Sequence, residues 1–112
     1  MNWVNKRILL DSNLPVDFRF CLSAYPVETA RYAGLNLLDD GRLLDAMAGR
    51  YDVLVTADAS IAYQQNMSGR SVALVVLSAK SNRILDLLPL VPALLSVISA
   101  IQPGEVREIT AP

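Results

Sequence analysis

The run Ser71-Val72-Ala73-Leu74-Val75-Val76-Leu77 constrains this chain more than any other segment, because it shows no apolar–polar alternation. A strand with one face in water alternates, whereas a strand that is apolar at successive positions needs cover on both faces. Asp52-Val53-Leu54-Val55-Thr56 is a second such run, β-branched and suited to a central strand. Parallel sheets with helices on both faces are the structures that cover a strand twice.

The remaining segments supply the helices and outer strands. Arg7-Ile8-Leu9-Leu10-Asp11 reads as a short apolar strand ending in an acid. Asn13 is placed to cap a helix with Pro15 in its first turn, and Phe18, Cys21, Leu22 and Tyr25 follow at helical spacing, with Cys21 directed to the core. Pro26 stops that helix, and Val27 to Ala30 can form a second strand. From Asp40 a helix would present Leu43, Leu44, Met47 and Ala48 on one face, with Arg42 and Asp45 opposite, and Gly49 ends it. A short helix from Asp58 to about Gln65 and a polar turn from Asn66 to Arg70 lead into the Ser71 run. Ser81 or Asn82 would cap the last helical region, which Pro89 and Pro92 kink or split. After Pro103-Gly104, Val106 to Thr110 alternates as an edge strand does. The order βαβαβαβαβ predicts an α/β/α sandwich around a mostly parallel sheet of four or five strands, formed as a single domain over residues 1–112.

Composition narrows the function classes. The chain has 112 residues, 53% of them hydrophobic and 19% charged, so surplus apolar surface must enter doubly buried strands or an interface with another chain. Ten Lys and Arg against eleven Asp and Glu leave a net charge of −1, which draws nucleic acid only through a local basic cluster. The absence of His removes the usual general base and the commonest zinc ligand. The lone Cys21 forms no internal disulfide, and Lys6 and Arg7 lead straight into a strand, so a cytosolic protein without a signal peptide is expected. Leu87 to Ile101 is uncharged, but it is shorter than the roughly 20 residues of a membrane span. Pro89, Pro92, Ser96 and Ser99 also interrupt it, so it predicts a buried helix and a homodimer contact in place of a membrane segment.

Sites in open parallel sheets form outside the carboxyl ends of the strands. Asp11 and Asp58 fall at such ends, and Asp39 and Asp40, before a helix, are the next candidates. Three converging carboxylates without His or thiolate form an oxygen-only site that suits Mg²⁺ or Mn²⁺. Such ions support phosphodiester hydrolysis. Asp58 and Asp39 or Asp40 also have a local reading as helix caps, whereas Asp11, two residues before the expected cap Asn13, has no obvious local duty.

The segment Ile8-Leu9-Leu10-Asp11-Ser12-Asn13-Leu14-Pro15 resembles the opening of small bacterial PIN-like proteins, and Tyr51 through Asp58 is similar to their strand running into Thr-x-Asp. Gly34 through Leu44 resembles their linking segment, with Asp40 at its acid position. Tyr63-Gln64-Gln65-Asn66, Gly69-Arg70 and the strand to Ser78 are similar to one branch of the group. The likeness runs through Pro103-Gly104. It implies a PIN fold, descent from metal-dependent ribonucleases including toxins of toxin–antitoxin pairs, and Asp11, Asp40 and Asp58 as metal-binding acids, with Asp11 and Asp58 catalytic. RNA and a small antitoxin-like protein become the expected partners. Asn13, Tyr63, Gln64, Asn66 and Arg70 are weaker substrate-binding candidates. Arg31, Arg42, Arg70 and Arg83 would form a phosphate clamp only by converging on the acids. The chain departs from the family where Ala59, Ser60 and Ile61 follow Thr-x-Asp without a further acid, which favours a non-catalytic PIN-like module that binds a protein. Receiver domains share the layout, and Asp11, Asp58, Ser78 and Lys80 could mimic their set, although Ser12 replaces the second acid they carry after the first strand.

Overall fold

The computed structural model describes residues 5–111. Five strands, β1 (Ile8–Leu10), β2 (Val27–Thr29), β3 (Val53–Thr56), β4 (Ala73–Ser78) and β5 (Val106–Thr110), form one sheet in the order β2-β1-β3-β4-β5. Every pairing is parallel. A parallel ladder needs a crossover between consecutive strands, and the intervening segments supply one each time. They are a 3-10 helix (Val16–Leu22), α1 (Asp40–Met47), α2 (Ser60–Gln64), and α3 (Ile84–Leu87) joined through a 3-10 turn (Leu88–Leu90) to α4 (Val91–Ala100).

The side-chain period of two divides the central strands between two cores. Ile8, Leu10, Val53, Val55, Val75 and Leu77 pack with Phe18, Leu22, Leu87, Leu90, Leu94 and Ile98 on one face. Leu9, Leu54, Leu74 and Val76 pack with Leu43, Leu44, Met47 and Ile61 on the other. The architecture is therefore the expected α/β/α sandwich, with β3 buried at all of its positions. The uncharged C-terminal stretch is consumed largely by this packing, since Leu87, Leu90, Leu94, Ile98 and Ile101 are all buried. Among the described residues no helix is long and apolar enough to cross a membrane. Cys21 is half-buried against the first core.

Several local expectations are corrected. Asn13 does not cap the first helix. Pro15 stands at its N-cap without a side-chain bond, and the segment winds as a 3-10 helix, since the amide expected there is used across the sheet. Ala48 is exposed and lies past the end of α1. The N–H groups of Arg50 and Tyr51 both turn back onto the Met47 carbonyl, and Gly49 takes φ +81° to allow it. The helix expected from Asp58 begins at Ser60. Neither Ser81 nor Asn82 is the N-cap of α3, which is Arg83, although the Ser81 hydroxyl accepts the Arg83 N–H. Pro89 and Pro92 do split the last helical region, each placed in a first turn where its missing N–H costs nothing.

Candidate functional site

From β1 the chain turns one way to β2 and then crosses to β3 on the other side, so the direction of winding switches between β1 and β3. Asp11 follows β1 and Thr56 ends β3, which places both beside that switch. Thr56 is fully buried, and its hydroxyl uses its whole bonding capacity of one donor and two acceptor positions. It donates to Asp11 Oδ2 (2.7 Å) and accepts from Asn13 Nδ2 (3.1 Å) and the Asp58 N–H (3.1 Å). Asn13 closes the ring, since its Oδ1 accepts the Ala57 N–H (3.1 Å). The motif that opens the chain and the motif at its middle are thereby joined into one network across two strands.

The acids differ in what their oxygens have left to offer. Asp11 Oδ1 accepts the N–H of Ser12 (2.8 Å), and its Oδ2 is held by Thr56. Asp58 Oδ1 accepts both the N–H (2.9 Å) and the hydroxyl (2.6 Å) of Ser60, which leaves Oδ2 outside that turn. Asp39 is the N-cap of α1, accepting the Arg42 N–H (3.0 Å) with the Arg42 guanidinium at 3.8 Å, so capping falls to Asp39 and Asp40 is released. Asp40, the first residue of α1, has its carboxyl pushed above the usual carboxylate range. Burial is the larger cause, followed by the negative charges of Asp58, Asp11 and Asp39. That mutual repulsion reports that α1 brings Asp40 into the field of the other two.

The acids also test whether a divalent ion fits. Among the described residues no three His, Cys, Asp or Glu are spaced to ligate one ion together. Mg²⁺, however, keeps several waters and takes only one or two carboxylates directly. Asp58 keeps one carboxylate oxygen outside its turn, and carboxylate oxygens of this kind suit Mg²⁺ better than zinc.

The weaker candidates separate. Tyr63 is 82% exposed on α2 and Gln64 is exposed beside it. Gln65 is the residue of that polar run that lies against α1, its side-chain oxygen 3.3 Å from where a Cβ on Gly41 would stand. It stands just past α2 as the helix's C-cap, with its N–H donating to the Ile61 carbonyl. Asn66 and Arg70 are not brought to the acids. They build the turn into β4 at the opposite sheet edge, where Asn66 Oδ1 accepts the Ser68 N–H and Arg70 pairs with Asp45 (2.8 Å). Of the four candidate clamp arginines, Arg42 is engaged by Asp39 and Arg70 by Asp45. Asp86 accepts the Ser81 hydroxyl and is half-buried. Thr56 and Ser60 are site residues that sequence reasoning passed over. A hydroxyl at the buried end of a central strand has to find partners, and that requirement was the signal for Thr56. No family model matches this chain, and neither does any curated protein or solved structure.

Proposed function

We propose that this chain is a PIN-like, Mg²⁺- or Mn²⁺-dependent endoribonuclease that hydrolyses single-stranded RNA, a cytosolic homodimer serving as the nuclease of a toxin–antitoxin pair. The observation that carries this reading is the Thr56 hydroxyl, which ties Asp11 at the end of β1 to the turn holding Asp58 after β3, beside the switch point.

Asp40 and Asp58 would hold the ion, with Asp11 adding its negative charge to theirs. When bound, it supplies Lewis acidity toward the phosphodiester and toward water. The chain's own residues do the positioning. Thr56 and Asn13 fix the rotamer of Asp11, and Ser60 fixes that of Asp58, so neither carboxylate has to be ordered when substrate arrives. Asp40, desolvated and facing like charges, carries unfavourable negative charge in the metal-free fold, which a bound cation would offset. With a net charge of −1, RNA binding is weak and fades as salt rises.

One observation favours a second reading, a non-catalytic PIN-like module that binds a protein. Ser60 stands where a further acid would complete the set, and no three acids share one ligation point among the described residues. Exposed Phe20, Tyr32 and Leu37 would then be contact residues. Cleavage of a labelled RNA in Mn²⁺ separates the two. The nuclease reading expects cleavage that stops with chelator and with Asp58→Asn. Equal rates from wild type and Asp58→Asn would assign the activity to a contaminant and leave the second reading standing.

A further inference from the structure

Beyond the end of β4 the loop into α3 borders an open cavity of about 620 Å³, lined by Lys80, Ser81, Arg83, Ile84, Leu85 and Asp86. That volume falls within the roughly 300–1,000 Å³ of small-molecule pockets. The sheet register locates it. β3 and β4 run parallel, with Val53 paired to Ala73 and Thr56 to Val76, so both end at one sheet edge, β3 two residues before Asp58 and β4 at Ser78. Lys80 follows two residues later, which puts the cavity at the same sheet edge as the acids, one strand over.

Its lining has two characters. Ser81 is spent internally, donating to Asp86 Oδ2 (2.5 Å) and accepting the Arg83 N–H (3.1 Å), so the loop is folded by its own polar groups. Asp86 is turned into that bond. Lys80 and Arg83 are exposed, and among the described residues neither enters an ion pair. Ile84 and Leu85 provide an apolar wall, with Leu85 77% exposed. Two cations outside any ion pair and an apolar wall in one lining match a phosphate joined to a flat ring.

We propose that this cavity is a nucleotide-unit subsite for single-stranded RNA, with Lys80 and Arg83 on the phosphates and Ile84 and Leu85 against the base. It takes its substrate class from the reading of the neighbouring acids, but its binding needs neither those acids nor a metal. Phosphate contacts supply affinity and salt dependence, and the apolar wall adds sequence-tolerant contact with the base face.

The test is equilibrium binding of a fluorescent ten-nucleotide oligouridylate to the full chain in EDTA, across a salt series. Lys80→Ala with Arg83→Ala should weaken binding and flatten the plot of log K against log salt by about 1.4, from two phosphates at about 0.7 each. Leu85→Ser should weaken binding with the slope unchanged, because it removes contact without charge. Arg50→Ala with Arg107→Ala removes the same charge elsewhere and should change neither quantity. Equal losses from the two double variants, or none from either, overturn the subsite. If RNA is never cleaved while the slope change persists, the nuclease reading falls and the subsite stands. If cleavage depends on Asp58 while the slope is unmoved, the reverse holds.

Discussion

Thr56 shows how one hydroxyl can organise a site. Replacing it with Val keeps the β-branched shape but strands the Asn13 amide and the Asp58 N–H, and removes the donor to Asp11. Leaving such groups unpaired costs about 1–3 kcal/mol. Thr56→Val should therefore lower stability by that amount in urea denaturation, and reduce metal-dependent cleavage about 10- to 100-fold through the loosened Asp11. Asp40 makes an opposite prediction. Its folded carboxyl holds a proton more tightly than in the unfolded chain, so the charged form is penalised in the fold. That penalty is absent below the unfolded value and sets in as pH rises through the raised folded value. In metal-free buffer, Asp40→Asn should thus gain stability relative to wild type between pH 4 and pH 7, as read from paired urea titrations. A gap that narrows or stays constant would contradict the crowding of Asp40 by Asp58 and Asp11.

Among the elements, β3 is buried at every position, because it is covered on both faces and paired on both edges. Leu54 is fully buried between α1 and the neighbouring strands, so Leu54→Ala should cost about 2–5 kcal/mol. In β5 only Ile109 is buried, and Val106→Thr should stay within about 0.5 kcal/mol. Denaturant midpoints of the two variants give the comparison directly. At the start of β1, Lys6 is buried and donates to the Ile98 carbonyl in the last turns of α4. Its ammonium is held below the usual lysine range, chiefly by burial and against the opposing pull of Asp52. A cation at a helix C-terminus satisfies a carbonyl that the helix itself leaves open. The strand thereby secures the helix that covers it.

For the whole molecule, the switch between β1 and β3 decides where the acids gather, and the metal prediction belongs at this scale. An ion that binds only the folded chain stabilises it by about 2.7 kcal/mol at a hundredfold excess over Kd. Mg²⁺ should therefore raise the urea midpoint of wild type, lose that effect with chelator, and leave Asp58→Asn unmoved. A midpoint indifferent to Mg²⁺ would count against the nuclease reading without touching the fold. Light scattering at high micromolar concentration checks the expected homodimer, and a clean monomer would remove it.

The apolar runs at Ile8, Val53 and Val72 were enough to specify a doubly covered parallel sheet, because uninterrupted apolar strands have no other low-cost environment. The same runs put Asp11 and Asp58 at strand ends by their position in the chain alone. Which acid caps and which stays available was not legible, since Asp39 and Asp40 are adjacent and identical, and only the start of α1 assigns the cap to Asp39. Asn13 likewise read as a local cap because sequence reasoning sees neighbours along the chain. Its true partners, Thr56 and Ala57, are 43 and 44 residues away and meet it only once β1 and β3 are paired. The fold class followed from local pattern, whereas the site depended on contacts between distant residues, which tertiary structure alone decides.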